Sequence, residues 1–237
     1  MDKLASGKDK TGASFLSVED ADRLKASLVR TTSNPFDPPR AFKITDQGRV
    51  LRAIWNRLEI RNPTEHFQEF LIDILKRTLS IGWIQLELSK PAKQQHVVVR
   101  WLVEYSELTK RFTPDAHQPG QFLGVPATGG ATELILLARD LYYLQLVHQI
   151  PTRFIDRLRD HNQFQGARYE AAVAAALLLG GFRIEWIREK VKCHCEFYAI
   201  QQYTLERTAV EAKSRRRPGV LNEPVVSVTV PENHRIA

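Results

Sequence analysis

Apolar residues recur through the first two thirds of the chain at the three- and four-residue spacing of helices. Phe67, Phe70, Leu71, Ile74 and Leu75 fall at i, i+3, i+4, i+7 and i+8, one stripe of a helix. Asn62-Pro63-Thr64-Glu65 ahead of them supplies a start signal, with Asn62 as cap and Pro63 at the first helical position. Val50, Leu51, Ile54, Trp55 and Leu58 show helical spacing too and predict another helix. Earlier still, Ser17-Val18-Glu19-Asp20 has the form of a capping box. The helix it opens would run through Leu24 and Leu28 and end at the prolines of Asn34-Pro35-Phe36-Asp37-Pro38-Pro39. Further helices are predicted over residues 94–111, 132–148 and 151–159. The segment Thr113 to Gly130, rich in proline and glycine, reads as a loop or hinge between the first two of these.

From about Gln163 the pattern changes. Gly166 to Leu179 is strongly helix-forming and Gly180-Gly181 stops it. Three strand-like runs follow, Phe182 to Ile187, His194 to Ile200 and Thr208 to Ala212, with β-branched and aromatic residues between polar turns. Val225 to Val230 is a further apolar run with strand character. The expected organisation is a disordered polar tail over residues 1–14, a helical domain over 15–160 and a small mixed domain over 161–237. The fold class is α+β.

Composition sharpens this picture only slightly. The chain has 237 residues, 43% of them hydrophobic and 26% charged, as in ordinary globular proteins. No apolar run approaches the ~18–20 residues that cross a bilayer, so no membrane partner is expected. The start, MDKLASGKDK, lacks the apolar core of a signal peptide, and the expected location is cytoplasmic. A formal charge of +7 favours a polyanionic partner. Cys193 and Cys195 flank His194, but a structural zinc site needs a second ligand pair, and the sequence has none. Reduced thiols are the simpler reading.

The chemistry-bearing residues lie in the last third. Glu211 and Lys213 are two apart, a spacing that points both to one face of a strand. Glu196 on the preceding strand can meet Glu211 across the sheet, given the right register. Two adjacent carboxylates repel unless a cation joins them, so the group is either a hard-metal site or an ordinary ion pair with Lys213. Arg215, Arg216 and Arg217 follow at once, either as phosphate contacts or as a solvated turn.

The order of these elements resembles the PD-(D/E)XK (restriction-endonuclease-like) nuclease superfamily. The matching text is Gly166-x-x-x-Glu170, His194-Cys195-Glu196-Phe197 and Val210-Glu211-Ala212-Lys213. The resemblance implies a restriction-endonuclease-like α/β domain whose catalytic set is Glu170, Glu196, Glu211 and Lys213. It further implies magnesium or manganese held by Glu196, Glu211 and the carbonyl of Ala212. Lys213 would serve as base or orienting residue, and Glu170 as an auxiliary acid. The implied activity is metal-dependent hydrolysis of phosphodiester bonds in nucleic acid, with DNA favoured and Arg215, Arg216 and Arg217 on the backbone. The alternative is a nuclease-fold module that binds nucleic acid, or acts as a scaffold, without turnover. A protein partner on the helical region and a homodimer both stay open.

Overall fold

Val50, Leu51, Arg52, Ala53 and Ile54 are all buried, so neither a helical stripe nor strict alternation marks a wet face along this run. In the computed structural model of the protein this run is a strand. The structure describes residues 6–8, 14–16, 43–46, 49–54, 57–112, 127–147, 150–187 and 195–213. Among these, five antiparallel strands form one sheet: β1 (Ser6–Lys8), β2 (Ser14–Leu16), β3 (Lys43–Asp46), β4 (Arg49–Ile54) and β5 (Arg57–Arg61), in the order β1-β2-β5-β4-β3.

Two expectations are corrected here. Val50–Ile54 and Leu58 lie on the antiparallel strands β4 and β5, with Ile54 opposite Arg57, because a short run buried on all sides has no periodicity to distinguish helix from strand. Ser6–Lys8, within the stretch read as a disordered tail, pairs as an edge strand with Ser14–Leu16; backbone pairing needs no apolar side chains. The helix read from Ser17, the segment 113–126 and the run Val225 to Val230 lie outside the described residues.

Helices follow: α1 (Phe67–Thr78), α2 (Ile81–Leu88), α3 (Val97–Phe112), α4 (Gly129–Val147), α5 (Thr152–Arg159) and α6 (Phe164–Leu179). The stripe of α1 is as expected, with Phe70, Leu71, Ile74 and Leu75 buried. Its start is four residues later than Pro63 predicts. The Asn62 carboxamide accepts from Thr64 N–H in a local turn at 3.1 Å, and the Glu69 carboxylate accepts the His66 N–H at 2.9 Å. Helix α2 carried no stripe to read, since Ile81, Leu86 and Leu88 are exposed.

Helix α1 docks against the first sheet through charge as well as through apolar contact. Buried Glu59 on β5 accepts both arms of Arg77 at 2.7 and 2.9 Å, and Arg61 meets Asp73 at 2.8 Å. Arg52 spreads over the rings of Phe67 and Phe70 at 5.1 and 5.0 Å. Tyr142 of α4 closes this layer, donating its hydroxyl to the Ala53 carbonyl at 3.1 Å.

Helix α6 packs against α4 and α5 with a buried face of Phe164, Ala167, Ala171, Ala174 and Ala175, the four alanines being small enough for close helix packing. Gly181, at φ 85°, turns the chain out of the helix in a conformation natural to glycine. The chain then forms β6 (Phe182–Trp186), β7 (Phe197–Gln201) and β8 (Arg207–Val210), an antiparallel sheet in that order. One buried cluster runs from Ile54 through the helices to Ile184, Phe197 and Ala199. The described part of the protein is thus α+β, and among the described residues no helix is long and apolar enough to cross a membrane.

The β7–β8 turn holds Leu205 at φ 59°, a conformation that costs a side-chain-bearing residue about 1–2 kcal/mol. Leu205 is also largely exposed. Leu205→Gly is expected to raise the unfolding free energy by about 0.5–1 kcal/mol, once glycine's freedom in the unfolded chain is set against the relieved strain. Urea denaturation measures this, and an unchanged or lower midpoint would count against strain at this position.

Candidate functional site

The site begins with α5. Phe154, Ile155 and Leu158 bury one stripe of this helix, which turns Arg153 and Arg157, one helical turn apart, to the other side. Glu170 sits on α6 between Ala167 and Ala171 and is itself buried. Arg157 reaches it with both arms, Nη1 to Oε2 at 2.7 Å and Nη2 to Oε1 at 2.5 Å. Burial pushes the Glu170 carboxyl up from its ordinary range, and the Arg157 guanidinium opposes this. Arg157 is held above its own ordinary value by Glu170 first. A Cβ at Gly166 would lie 3.8 Å from Arg157 Nη2 and 4.0 Å from Glu170 Oε1, ordinary contact distances. The pair therefore does not require a glycine there.

The other side of the site is the entry to β7. Glu196 lies just before the strand, and its N–H donates to the Val210 carbonyl at 2.9 Å. Phe197 with Val210 is the last pair of the β7–β8 ladder, and the Glu196 N–H is bonded to that same Val210 rather than to Glu211. A pairing of Glu196 with Glu211 is not part of the ladder. Glu211, Ala212 and Lys213 follow the end of β8. Ala212 is nearly buried, while Glu211 and Lys213 project outward and pair with each other at 2.9 Å. That hydrogen bond raises the Lys213 ammonium above its ordinary range.

Arg157 joins the two sides. Its Nη1, already bonded to Glu170, lies 3.5 Å from Glu196 Oε2. Beside it opens a depression of about 610 Å³ lined by Arg153, Asp156, Arg157, Asp160, Gln163 and Glu196. Asp160 shapes its rim, its Oδ1 accepting the N–H groups of Asn162 and Gln163 at 2.8 and 2.9 Å ahead of α6.

Of the residues singled out from the sequence, Glu170 and Glu196 therefore meet on one guanidinium, and Glu211 and Lys213 form a separate pair beyond the end of β8. Among the described residues, no group of three or more histidine, cysteine, aspartate or glutamate side chains is gathered closely enough to hold a metal ion. Arg215, Arg216 and Arg217 lie outside the described residues. The sequence reading missed Arg157 and Arg153. The available signal was their spacing of four on the polar side of a short amphipathic helix, but nothing in that spacing names the acid they serve. The chain matches no family model, no curated protein and no solved structure.

Proposed function

We propose that the protein is a metal-dependent nuclease, hydrolysing phosphodiester bonds of nucleic acid, with DNA favoured, on a restriction-endonuclease-like domain. The observation that carries this reading is Arg157, which ties Glu196 at the entry to β7 to the buried Glu170 of α6, with Glu211 and Lys213 paired just beyond the end of β8. A helix with a buried glutamate packed on a sheet of three sequential antiparallel strands adds support.

The donor chemistry fits a hard cation: Glu196, Glu211 and the Ala212 carbonyl offer oxygen alone, the preference of magnesium and manganese. When bound there, such an ion would supply an acidified water and positive charge against the phosphate. Glu196 and Glu211 are partly exposed, at 30% and 44%, so both carboxylates can leave their present partners. Lys213, kept protonated by Glu211, suits a role of charge at the phosphate better than that of a base. Arg215, Arg216 and Arg217 would contact the backbone.

A second reading, a module that binds nucleic acid without turnover, is favoured by one observation. Every candidate acid is already neutralised from within, Glu170 and Glu196 by Arg157 and Glu211 by Lys213. The deciding experiment is cleavage of labelled single- and double-stranded DNA and RNA with magnesium or manganese, using wild type, Lys213→Ala and Glu211→Gln. Metal-dependent cutting that both variants lose is expected. A folded wild type that binds but never cuts selects the second reading; one that neither binds nor cuts rejects both.

A further inference from the structure

Helix α2 is built inside out. Its one charged residue, Glu87, is 4% exposed, while Leu86 beside it is 68% exposed, Ile81 55% and Leu88 45%. Three contacts hold Glu87 inward: its carboxylate takes Lys90 at 2.5 Å and the His96 N–H at 2.8 Å, and lies 3.6 Å from His161. Ile84 is buried next to it, and Trp83 sets its ring 5.1 Å from that of His96. Rolling the helix to hide its leucines would break all of these contacts. The outward aliphatic residues are therefore fixed in place by what lies beneath them.

The outward side consists of Ile81, Gly82, Gln85, Leu86, Leu88 and Ser89. It carries no charge, although the chain has a formal charge of +7. A polyanion finds no cation there, and a charged protein surface would lose water without gaining a partner. A second copy of the same side meets neither objection. In a two-fold contact the same patch faces itself, and an uncharged patch does not repel its own image. Gly82 adds a matching shape. Glycine is a poor helix former, yet among the described residues a Cβ there would meet only the Ser80 hydroxyl, at an ordinary 3.8 Å. The fold of the single chain thus gives no reason for a glycine at this position. Gly82 and Leu86 are four residues apart and lie one above the other, a gap beside a projecting side chain.

We propose that α2 is a self-association surface: two copies of the chain pack α2 against α2, antiparallel about a two-fold axis, with each Leu86 seated over the Gly82 of the other copy. The axis passes at the level of Ile84, midway between the two residues. A helix of eight residues is about 12 Å long, and its outward side is smaller than the ~800 Å² per partner that stable complexes bury. The dimer is accordingly weak and reversible, forming in the micromolar range.

Sedimentation velocity of the full chain, from about 1 to about 300 µM, tests this. Wild type is expected to pass from monomer to dimer across the range. Leu86→Gln removes the projecting side chain and Gly82→Gln fills the gap, and each should weaken association at least tenfold. Gly82→Gln enters open space and improves helix propensity, so its fold should stay intact, as circular dichroism will show. Leu205→Gln, which removes an equally exposed leucine from the β7–β8 turn, should leave association unchanged. A wild type that stays monomeric throughout overturns the proposal and assigns the face to another protein or to the chain itself. A dimer that either α2 variant leaves unchanged, or that Leu205→Gln weakens as much, overturns it too.

Discussion

Arg157→Ala is expected to lower the unfolding free energy by about 3–5 kcal/mol, the usual result of removing one partner from a buried ion pair. The cause is less the lost attraction than what remains. Glu170 would be left at 3% exposure with its two short hydrogen bonds gone and its charge uncompensated. Its carboxyl, already pushed up by burial, would rise further and take a proton. Glu170→Gln should cost less, since the guanidinium of Arg157 is 21% exposed and still faces Glu196. Changing both residues, Glu170→Gln with Arg157→Met, removes both charges together and should recover most of the loss. With Arg157→Met added as the matching single variant, urea denaturation of it, wild type, Glu170→Gln and the double variant forms the thermodynamic cycle. A coupling near zero would mean that Arg157 serves Glu196 alone and that Glu170 finds its support elsewhere.

That pair shows where local sequence patterns stop being informative. The helical stripe of α1 and the alanine-rich face of α6 were legible because a period of 3.6 residues is a local property. So was the side-by-side placement of Glu211 and Lys213, which needs only an extended chain. The partner of a buried acid is not local. Arg157 lies 13 residues before Glu170 on a different helix, and only the packing of α5 on α6 brings them together. The end of the β7–β8 ladder belongs to the same class, since no strand signal tells that the Glu196 N–H goes to Val210 rather than to Glu211.

The hairpin of β4 and β5 failed to show itself for a different reason. Val50, Leu51, Ile54, Trp55 and Leu58 have helical spacing, and Arg52 between them looks like a polar position. In the structure Arg52 is 5% exposed, its guanidinium lying over Phe67 and Phe70. A charged residue buried by stacking on aromatic rings turns a continuous buried run into an apparent amphipathic one. The true pattern depended on rings contributed by α1.

Acid is expected to remove about 3 kcal/mol of stability between pH 6.5 and 4 through a single side chain, His96. This imidazole is completely buried, with the rings of Trp83, His161 and Phe164 at 5.1, 4.9 and 4.8 Å. Its Nδ1 accepts the Val98 N–H at 3.3 Å, and its own backbone N–H donates to Glu87 at 2.8 Å. Burial pushes it down from 6.5 to about 4, with His161 and Arg100 acting in the same direction and Glu87 against it. The unfolded chain therefore binds a proton that the folded protein refuses across this window, and stability falls as pH falls. At ~1.36 kcal/mol for each pH unit, the gap from 6.5 to about 4 gives the figure quoted. Glu87 is held below its usual range because Lys90 and the His96 N–H outweigh its burial, so its own loss begins only below about 4.5. The two windows separate the two groups. In His96→Gln the slope of urea stability between pH 6.5 and 4.5 should flatten while the steeper loss below it persists. A slope unchanged by the substitution would assign the acid sensitivity to another group. The consequence reaches the site, because His96 packs on Phe164, the first residue of the helix that carries Glu170.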